Sequence, residues 1–294
     1  MAMENSSVIG EILRENERRN KEIYAPFNPI TGKGSVGERK AVVVDGFPLH
    51  TQFLPVEMLN IPLVKRLIKH GSLDAFLQAM GSKEEDYEFD RQKVIQQFVR
   101  LRIRYDFPFW AAMFVYIKNK GGGEDVLFRL TRPQRRFVER LERLRKAGKP
   151  IRIVLLKARQ WGGSTTSQIY MAWLQLVHKV GLNSLIIAHQ GAGSDEIKDM
   201  FDRMINSYPV EMLHKISENY SENEPKLVGV GKSGSIHRVP QRNCKIKIGT
   251  AERPDSCRGG DYNLVHLSEV GLWKVTDGKK PEDIVRSACS GVLY

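Results

Sequence analysis

The sequence predicts an α/β fold, with a mostly parallel sheet flanked by helices and a mainly helical N-terminal region before it. Three observations carry this reading. From residue 151 onward, short apolar runs rich in β-branched residues alternate with helix-period segments. The first of these runs, Ile151–Lys157, breaks at Gly162-Gly163 and restarts as a helix headed by Ser164, Thr165 and Thr166. Before about residue 105, long charge-rich segments of helical period dominate. The chain accordingly divides at 1–105 and 106–294.

In chain order, Ser7–Tyr24 reads as a polar helix with Asn5 or Ser6 as its N-cap. Pro26, Pro29, Gly32, Gly34 and Gly37 make 25–37 a loop. Ala41–Val44 is a short strand closed by Asp45-Gly46, and Gly71-Ser72 separates two short helices, Pro62–His70 and Leu73–Met80. Glu84–Arg104 is a longer helix whose Arg91, Lys93, Arg100, Arg102 and Arg104 form a solvated face or a DNA-facing stripe. Phe107, Phe109, Trp110, Phe114 and Tyr116 are expected in the core, because aromatics dominate buried area.

A turn at Gly121-Gly122-Gly123 precedes a helix capped by Thr131, with Pro133 in its first turn and a stop at Gly148 and Pro150. Gln134 reads as an exposed polar residue at that helix start. Ile151–Lys157 is expected as a buried strand, Thr165–Val180 as an amphipathic helix and Ser184–Ala188 as a second buried strand. A helix follows over Ser194–Ser207, ended by Pro209. Ser217–Pro240 is a loop or β excursion, and Lys245–Gly249 alternates as a half-buried strand does. A turn cluster at Asp255–Asp261 leads into the strand Asn263–Glu269.

The chain has 294 residues and a formal net charge of +12, which favours a polyanionic partner, nucleic acid first. Cys244, Cys257 and Cys289 show no C-x-x-C pairing, so a zinc site or disulfide framework is not indicated and a reducing compartment fits. No apolar run approaches the ~20 residues of a membrane span.

Two segments carry chemistry. A strand, a glycine loop and a hydroxyl-headed helix place backbone N–H groups and a helix N-terminus around an anion, with a hydroxyl available to Mg²⁺. Against the spacing G-x-x-x-x-G-K-[ST], Gly162 takes the second glycine and Ser164 the hydroxyl, while Gly163 stands where the lysine belongs and Lys157 where the first glycine belongs. A long cation at the loop entrance still reaches phosphates held in such a loop. The second segment is the strand ending at Ser268-Glu269, where a carboxylate is placed to orient an attacking water and its neighbour to help hold a metal.

Together these segments resemble the tailed-phage terminase large subunits. Lys157-Ala158-Arg159-Gln160-Trp161-Gly162-Gly163-Ser164 is similar to their altered Walker A loop, with the lysine at its start. Leu130–Gln134 resembles their adenine-reading glutamine motif, and Ser184–Gln190 their second strand. Arg258–Tyr262 followed by His266–Val270 and Trp273 resembles their Walker B block. Ser268 departs from the commoner aspartate. The resemblance spans roughly Asp106–Tyr294 and matches 1–105 only loosely.

It implies an ATP hydrolase with Mg²⁺ that drives double-stranded DNA into a procapsid in the host cytoplasm. The implied partners are the portal and procapsid, the terminase small subunit, and copies of the chain in a ring that forms from monomers during packaging. It also implies a nuclease domain, which is not expected within these residues. By the same resemblance, Lys157 neutralises phosphate charge, the Gln160–Gly163 backbone cradles the phosphates, Ala158, Arg159 and Thr165 also belong to the ATP-binding set, and Ser164 ligates Mg²⁺ with weaker help from Ser268. Glu269 positions water and Gln134 reads adenine. Arg258, or else Arg159, serves as the arginine that stabilises transferred charge, Arg258 acting on a neighbouring subunit. Two further classes remain open: a helicase-like DNA-dependent ATPase, and a non-enzymatic basic DNA-binding module with a decayed nucleotide site.

Overall fold

Most apolar residues of the first hundred positions gather into one core, and those of the rest, joined by Val36, into two others. The computed structural model describes residues 2–24, 26–157, 160–215, 224–253, 260–275 and 280–290. The chain opens with helix α1 (Ala2–Tyr24). It therefore begins ahead of the expected caps, and Asn5 and Ser6 lie inside it. Strands β1 (Arg39–Val43) and β2 (Thr51–Pro55) pair antiparallel, the second of them unpredicted. Helices α2 (Pro62–His70) and α3 (Leu73–Ala79) are split as the sequence requires. Gly71 ends α2 in a left-handed conformation, and the Ser72 side chain accepts from the Ala75 N–H at 3.0 Å. Leu54, Met58, Leu67, Leu73, Phe76 and Phe98 fill the core between these elements and α4 (Tyr87–Tyr105).

The second core starts at α5 (Phe107–Phe114), where Phe107, Phe109, Trp110 and Phe114 are all buried. A hairpin of two short strands, β3 (Tyr116–Ile117) and β4 (Val126–Leu127), leads to α6 (Arg132–Lys146). The Thr131/Gln134 capping box starts α6, with proline in the first turn. Helix α7 (Gly163–Trp173) ends in a π-helical turn over Leu174–His178. The expected amphipathic stripe is absent from it. Ile169–Trp173 are buried on successive positions, because α5, α6 and β9 (Leu264–Leu267) surround the helix.

After β5 (Asn183–Ala188) come α8 (Gly191–Ser207), α9 (Val210–Lys215), β6 (Val228–Val230), β7 (Ile236–Val239) and β8 (Cys244–Thr250). Beyond β9 lies α10 (Pro281–Cys289). The sheet order is β6-β7-β8-β5-β9. β5 runs parallel to β8 and β9, while β6–β7 and β7–β8 are antiparallel. The fold is thus mixed α/β, not mostly parallel. Short connections link β6, β7 and β8, and only antiparallel neighbours can be joined that way. In β5, Ile186 and Ala188 face the core with α7 and α8, and Leu185 and Ile187 face the third core with Trp273 and α10. Burial on both faces explains why the strand reads as a continuous apolar run.

The expected strand Ile151–Lys157 pairs with no strand among the described residues, and every residue in it is exposed. Val154 and Leu156 are 100% exposed. A strand exists through its neighbours, which satisfy its N–H and C=O groups. Both edges of β5 are taken by β8 and β9, and among the described residues Ile151–Leu156 does not join the sheet at its outer strands β6 and β9 either. No helix among the described residues is long and apolar enough to cross a membrane.

The cation stripe of α4 is also corrected. Arg102 is a core residue: its guanidinium meets Asp106 at 2.9 Å, Gln52 Oε1 at 2.9 Å and the Ile30 carbonyl at 3.2 Å, over the Phe109 ring. Arg100 pairs with Glu224 at 2.6 Å. Arg39 grips the same Asp106 with two bonds, 2.7 and 2.8 Å. Burial would raise the Asp106 pKa, but the hydrogen bonds and charges of Arg39 and Arg102 outweigh it and hold the carboxyl below its usual range.

Asp106→Ala should therefore strand two buried guanidinium groups and cost about 3–5 kcal/mol in urea denaturation. Glu15→Ala, which removes exposed pairs, should leave the midpoint unchanged. Because the folded Asp106 pKa is depressed, its contribution is present above the unfolded carboxyl pKa and is lost as pH falls through the folded value. Asp106→Asn should flatten the acid limb of the stability–pH curve.

Candidate functional site

The site is built where three distant segments meet: the start of α6, the loop before α7 and the turn after β9. Gly162 is the N-cap of α7 with φ of +79°. A Cβ there would lie 2.5 Å from Gln134 Nε2 and would displace that amide, and the left-handed backbone itself favours glycine. Gln134 is buried, contrary to expectation. Its Oε1 accepts from the Thr131 N–H at 2.7 Å and its Nε2 donates to the Gly162 carbonyl at 3.3 Å. One side chain thus caps α6 and holds the loop.

Gly163, in the place of the usual lysine, has a local reason. The Trp161 ring lies across it, and a Cβ would come within 2.6 Å of the indole. Trp161 in turn meets the Phe137 ring edge-on, at 6.2 Å between centroids. Gln160 takes a left-handed conformation with φ of +63°, and its carbonyl accepts from Lys120 Nζ at 3.0 Å. The sequence did not point to Lys120, which lies forty positions upstream in a glycine turn and is brought in by the fold.

Ser164 and Thr165 stand half-buried in the first turn of α7, where helix geometry leaves backbone N–H groups without intrahelical partners. Ser164 Oγ lies 3.3 Å from Ser268 Oγ. Ser268 is fixed by two main-chain bonds: its N–H donates to Ile187 and its carbonyl accepts from Trp273 Nε1 at 3.0 Å. Glu269 follows in a left-handed conformation, φ +55°, with its side chain exposed. His266, three residues before Glu269, has a buried Nε2 with no hydrogen-bond partner. Burial first, and then the nearby Lys157 charge, push its pKa down to about 4, so the imidazole is neutral at pH 7.

Gln134, Gly162, Gly163, Ser164 and Ser268 are thus brought together. Lys157 is exposed at the end of the unpaired segment. Ala158, Arg159 and Arg258 lie outside the described residues. A buried tie sets α6 against α7: Tyr170 Oη donates to Glu142 Oε1 at 2.5 Å, and Arg145 holds the same carboxylate at 2.7 and 2.8 Å.

The donor set fits a phosphate with Mg²⁺ in part. Two hydroxyls are hard oxygen ligands, and a cation that keeps most of its waters needs few from the protein. No cluster of three or more His, Cys, Asp or Glu suited to a metal occurs among the described residues. The charge of a second carboxylate is missing at Ser268.

No protein-family model matches the chain. No curated protein matches it either. Among solved structures, the large terminase ATPase domain of Thermus phage P74-26 is similar over 46% of this chain, at 17% identity and a TM-score of 0.31. The chain spans 54% of that domain's length. Likeness of this extent carries no argument about activity.

Lys157→Ala should weaken ATP binding about 10- to 100-fold, the value of one charge-assisted contact. Lys149→Ala, before the extended segment, should not weaken it. Trp161 gives the readout, since tryptophan fluorescence should change on ATP addition and Trp161→Phe should remove that change. Equal affinities in the two lysine variants would exclude Lys157 from the site.

Proposed function

We propose that this chain is the ATPase motor part of a phage terminase large subunit, hydrolysing ATP to drive double-stranded DNA into a procapsid. The observation that carries the reading is the meeting of Gln134, the Gly162–Ser164 loop and Ser268 at one place, from segments about 30 and 100 residues apart. What supports the nucleic-acid side is the net charge of +12.

In this reading the chain is a P-loop type ATPase. The Gln160–Gly163 backbone and the first turn of α7 hold the phosphates, and Lys157 offsets their charge. Ser164 would ligate Mg²⁺, with Ser268 helping only weakly or through water. Bound Mg²⁺ supplies charge neutralisation at the phosphates. Gln134, hydrogen-bonded to the loop, would read the base. Glu269, exposed beside Ser268, accepts a proton from water and orients it for attack. Arg258 serves a neighbouring subunit in a ring, with portal, procapsid and small subunit as further partners in the host cytoplasm.

Glu269→Gln keeps the side-chain shape and removes the base. It should lower turnover about 10²- to 10⁴-fold while ATP affinity stays within a few-fold. Retained turnover would move the base elsewhere, to Asp261 first. A subunit alone lacks the neighbour's arginine, worth about 10³–10⁵ in rate, so turnover should rise with concentration or with procapsid and DNA. Mixing Arg258→Ala with Glu269→Gln subunits should restore part of it. No rescue, with wild-type rings assembling normally, would place Arg258 in its own subunit or outside the chemistry.

The unpaired Ile151–Lys157 segment and Ser268 favour a second reading, a basic DNA-binding module whose nucleotide site has decayed. Absence of any ATP-induced Trp161 signal at millimolar nucleotide would select it.

A further inference from the structure

One face of the sheet is packed, with α8 in contact with β5, β6 and β8. Val239 of β7 and Cys244, Ile246 and Ile248 of β8 belong to the core on that side, and His237 lies against the Phe201 ring of α8. Side chains alternate along a strand, so Ile236 and Arg238 of β7 and Lys245 and Lys247 of β8 project from the opposite face. The register brings Val228 and Val230 of β6 onto that face too, beside Arg238 and Ile236. Over β5 the second face is closed, since Leu185 and Ile187 pack with Trp273 and with Ile284 and Ala288 of α10. Over β6–β8 it is open: none of the six side chains there joins a core cluster among the described residues. Arg238 is exposed and the other five are half-buried.

The charge on this open face is unbalanced. Arg238 and Lys245 stand directly opposite each other across the antiparallel β7–β8 pair. Lys247 follows on the same face of β8, ~7 Å from Lys245 along the strand. Like charges placed opposite one another destabilise a strand pair. Among the described residues none of the three cations has an ion pair or a side-chain hydrogen bond. Lysines also guard outer strands against unwanted pairing, but β8 lies inside the sheet, between β7 and β5, so that role does not account for them.

A polyanion laid on the face would supply the missing charge. The net charge of +12 favours nucleic acid as that polyanion. None of the six side chains is aromatic, so the face offers unstacked bases of a single strand no platform, and its cations suit the phosphates of a duplex. We infer that the open β6–β8 face binds the phosphate backbone of duplex nucleic acid through Arg238, Lys245 and Lys247, which rests on the DNA side of the proposed function and not on ATP binding at the Gly162 loop.

The test compares the whole chain with and without Lys245→Gln plus Lys247→Gln. Binding to two unrelated 20-bp DNA duplexes is followed by fluorescence anisotropy over a salt series. Both affinities should fall about 10-fold or more at low salt, and the log–log salt slope should become shallower by about 2, the loss of two phosphate contacts. The urea midpoint should hold or rise, because like-charge repulsion is removed. The Trp161 response to ATP should not change. Arg238→Gln alone, at an exposed position, should make the slope shallower by about 1 and serves if the double variant melts early. Lys65→Gln with Lys69→Gln, which removes the same charge from exposed positions on α2, should leave the slope unchanged. An equal loss in the α2 pair, or none in the sheet variants, would overturn this face and leave duplex binding elsewhere on the chain. No duplex binding by the unaltered chain would overturn the face together with the DNA side of the proposed function. Loss of polyglutamate binding in the sheet variants, with duplex binding intact, would make the partner an acidic polypeptide and overturn the duplex.

Discussion

Asp106 between Arg39 and Arg102 is the contact on which the arrangement depends. Their side chains are 0%, 7% and 1% exposed. The carboxylate also accepts from the Phe109 N–H at 3.4 Å, so it caps α5. Through Arg39 it reaches the Val36 and Phe53 carbonyls, and through Arg102 it reaches Gln52 and the Ile30 carbonyl. One buried charge therefore ties the N-terminal loop, β1 and β2 to α4 and α5. Such a cluster adds little net stability over an apolar replacement, but it tolerates few alternative arrangements, since any other pairing leaves a buried charge unmatched.

That tie has a consequence at α6. The loop that Arg39 and Arg102 hold is the loop that Arg135 grips through the Gly34 carbonyl, so the start of α6 is set from the N-terminal side. From the other side Gln134 bonds Gly162, and Glu142 bonds Tyr170 in α7. α6 thus holds the N-terminal loop through Arg135 and the Gly162 loop through Gln134. Burial, and after it the Glu142 charge and hydrogen bond, raise the Tyr170 pKa well above that of a free phenol, so the hydroxyl stays a donor and the tie persists at any ordinary pH.

The loop before α7 shows how a departure from a common pattern is accommodated. With Trp161 laid over Gly163, a side chain at that position would collide with the indole. A lysine in the usual place and this tryptophan are mutually exclusive in this geometry. Among the described residues, Lys157 and Lys120 are cations on the loop side, one at its entrance and one bonded to the Gln160 carbonyl.

Much of the helical framework was legible in the sequence, because its signals are local. Gly71-Ser72 splits α2 from α3, Thr131 and Pro133 start α6, and Gly148 follows its end, each through the conformation of one or two residues. The both-faced burial of β5 was legible from an unbroken apolar run, and the candidate loop and Ser268-Glu269 from their positions at element ends. What the sequence could not supply was partnership across the chain. Arg102 reads as a surface cation until Asp106, Gln52 and the Ile30 carbonyl surround it, and Gln134 reads as exposed until Gly162 closes on it. Ile151–Leu156 has the composition of a core strand, yet a strand needs a neighbour to satisfy its backbone groups, and among the described residues none pairs with it. The mixed sheet likewise follows from how β6, β7 and β8 fold on one another. Residue type fixes what a segment can bury or cap; only the tertiary structure fixes which distant group comes to meet it, since that depends on contacts no local window contains.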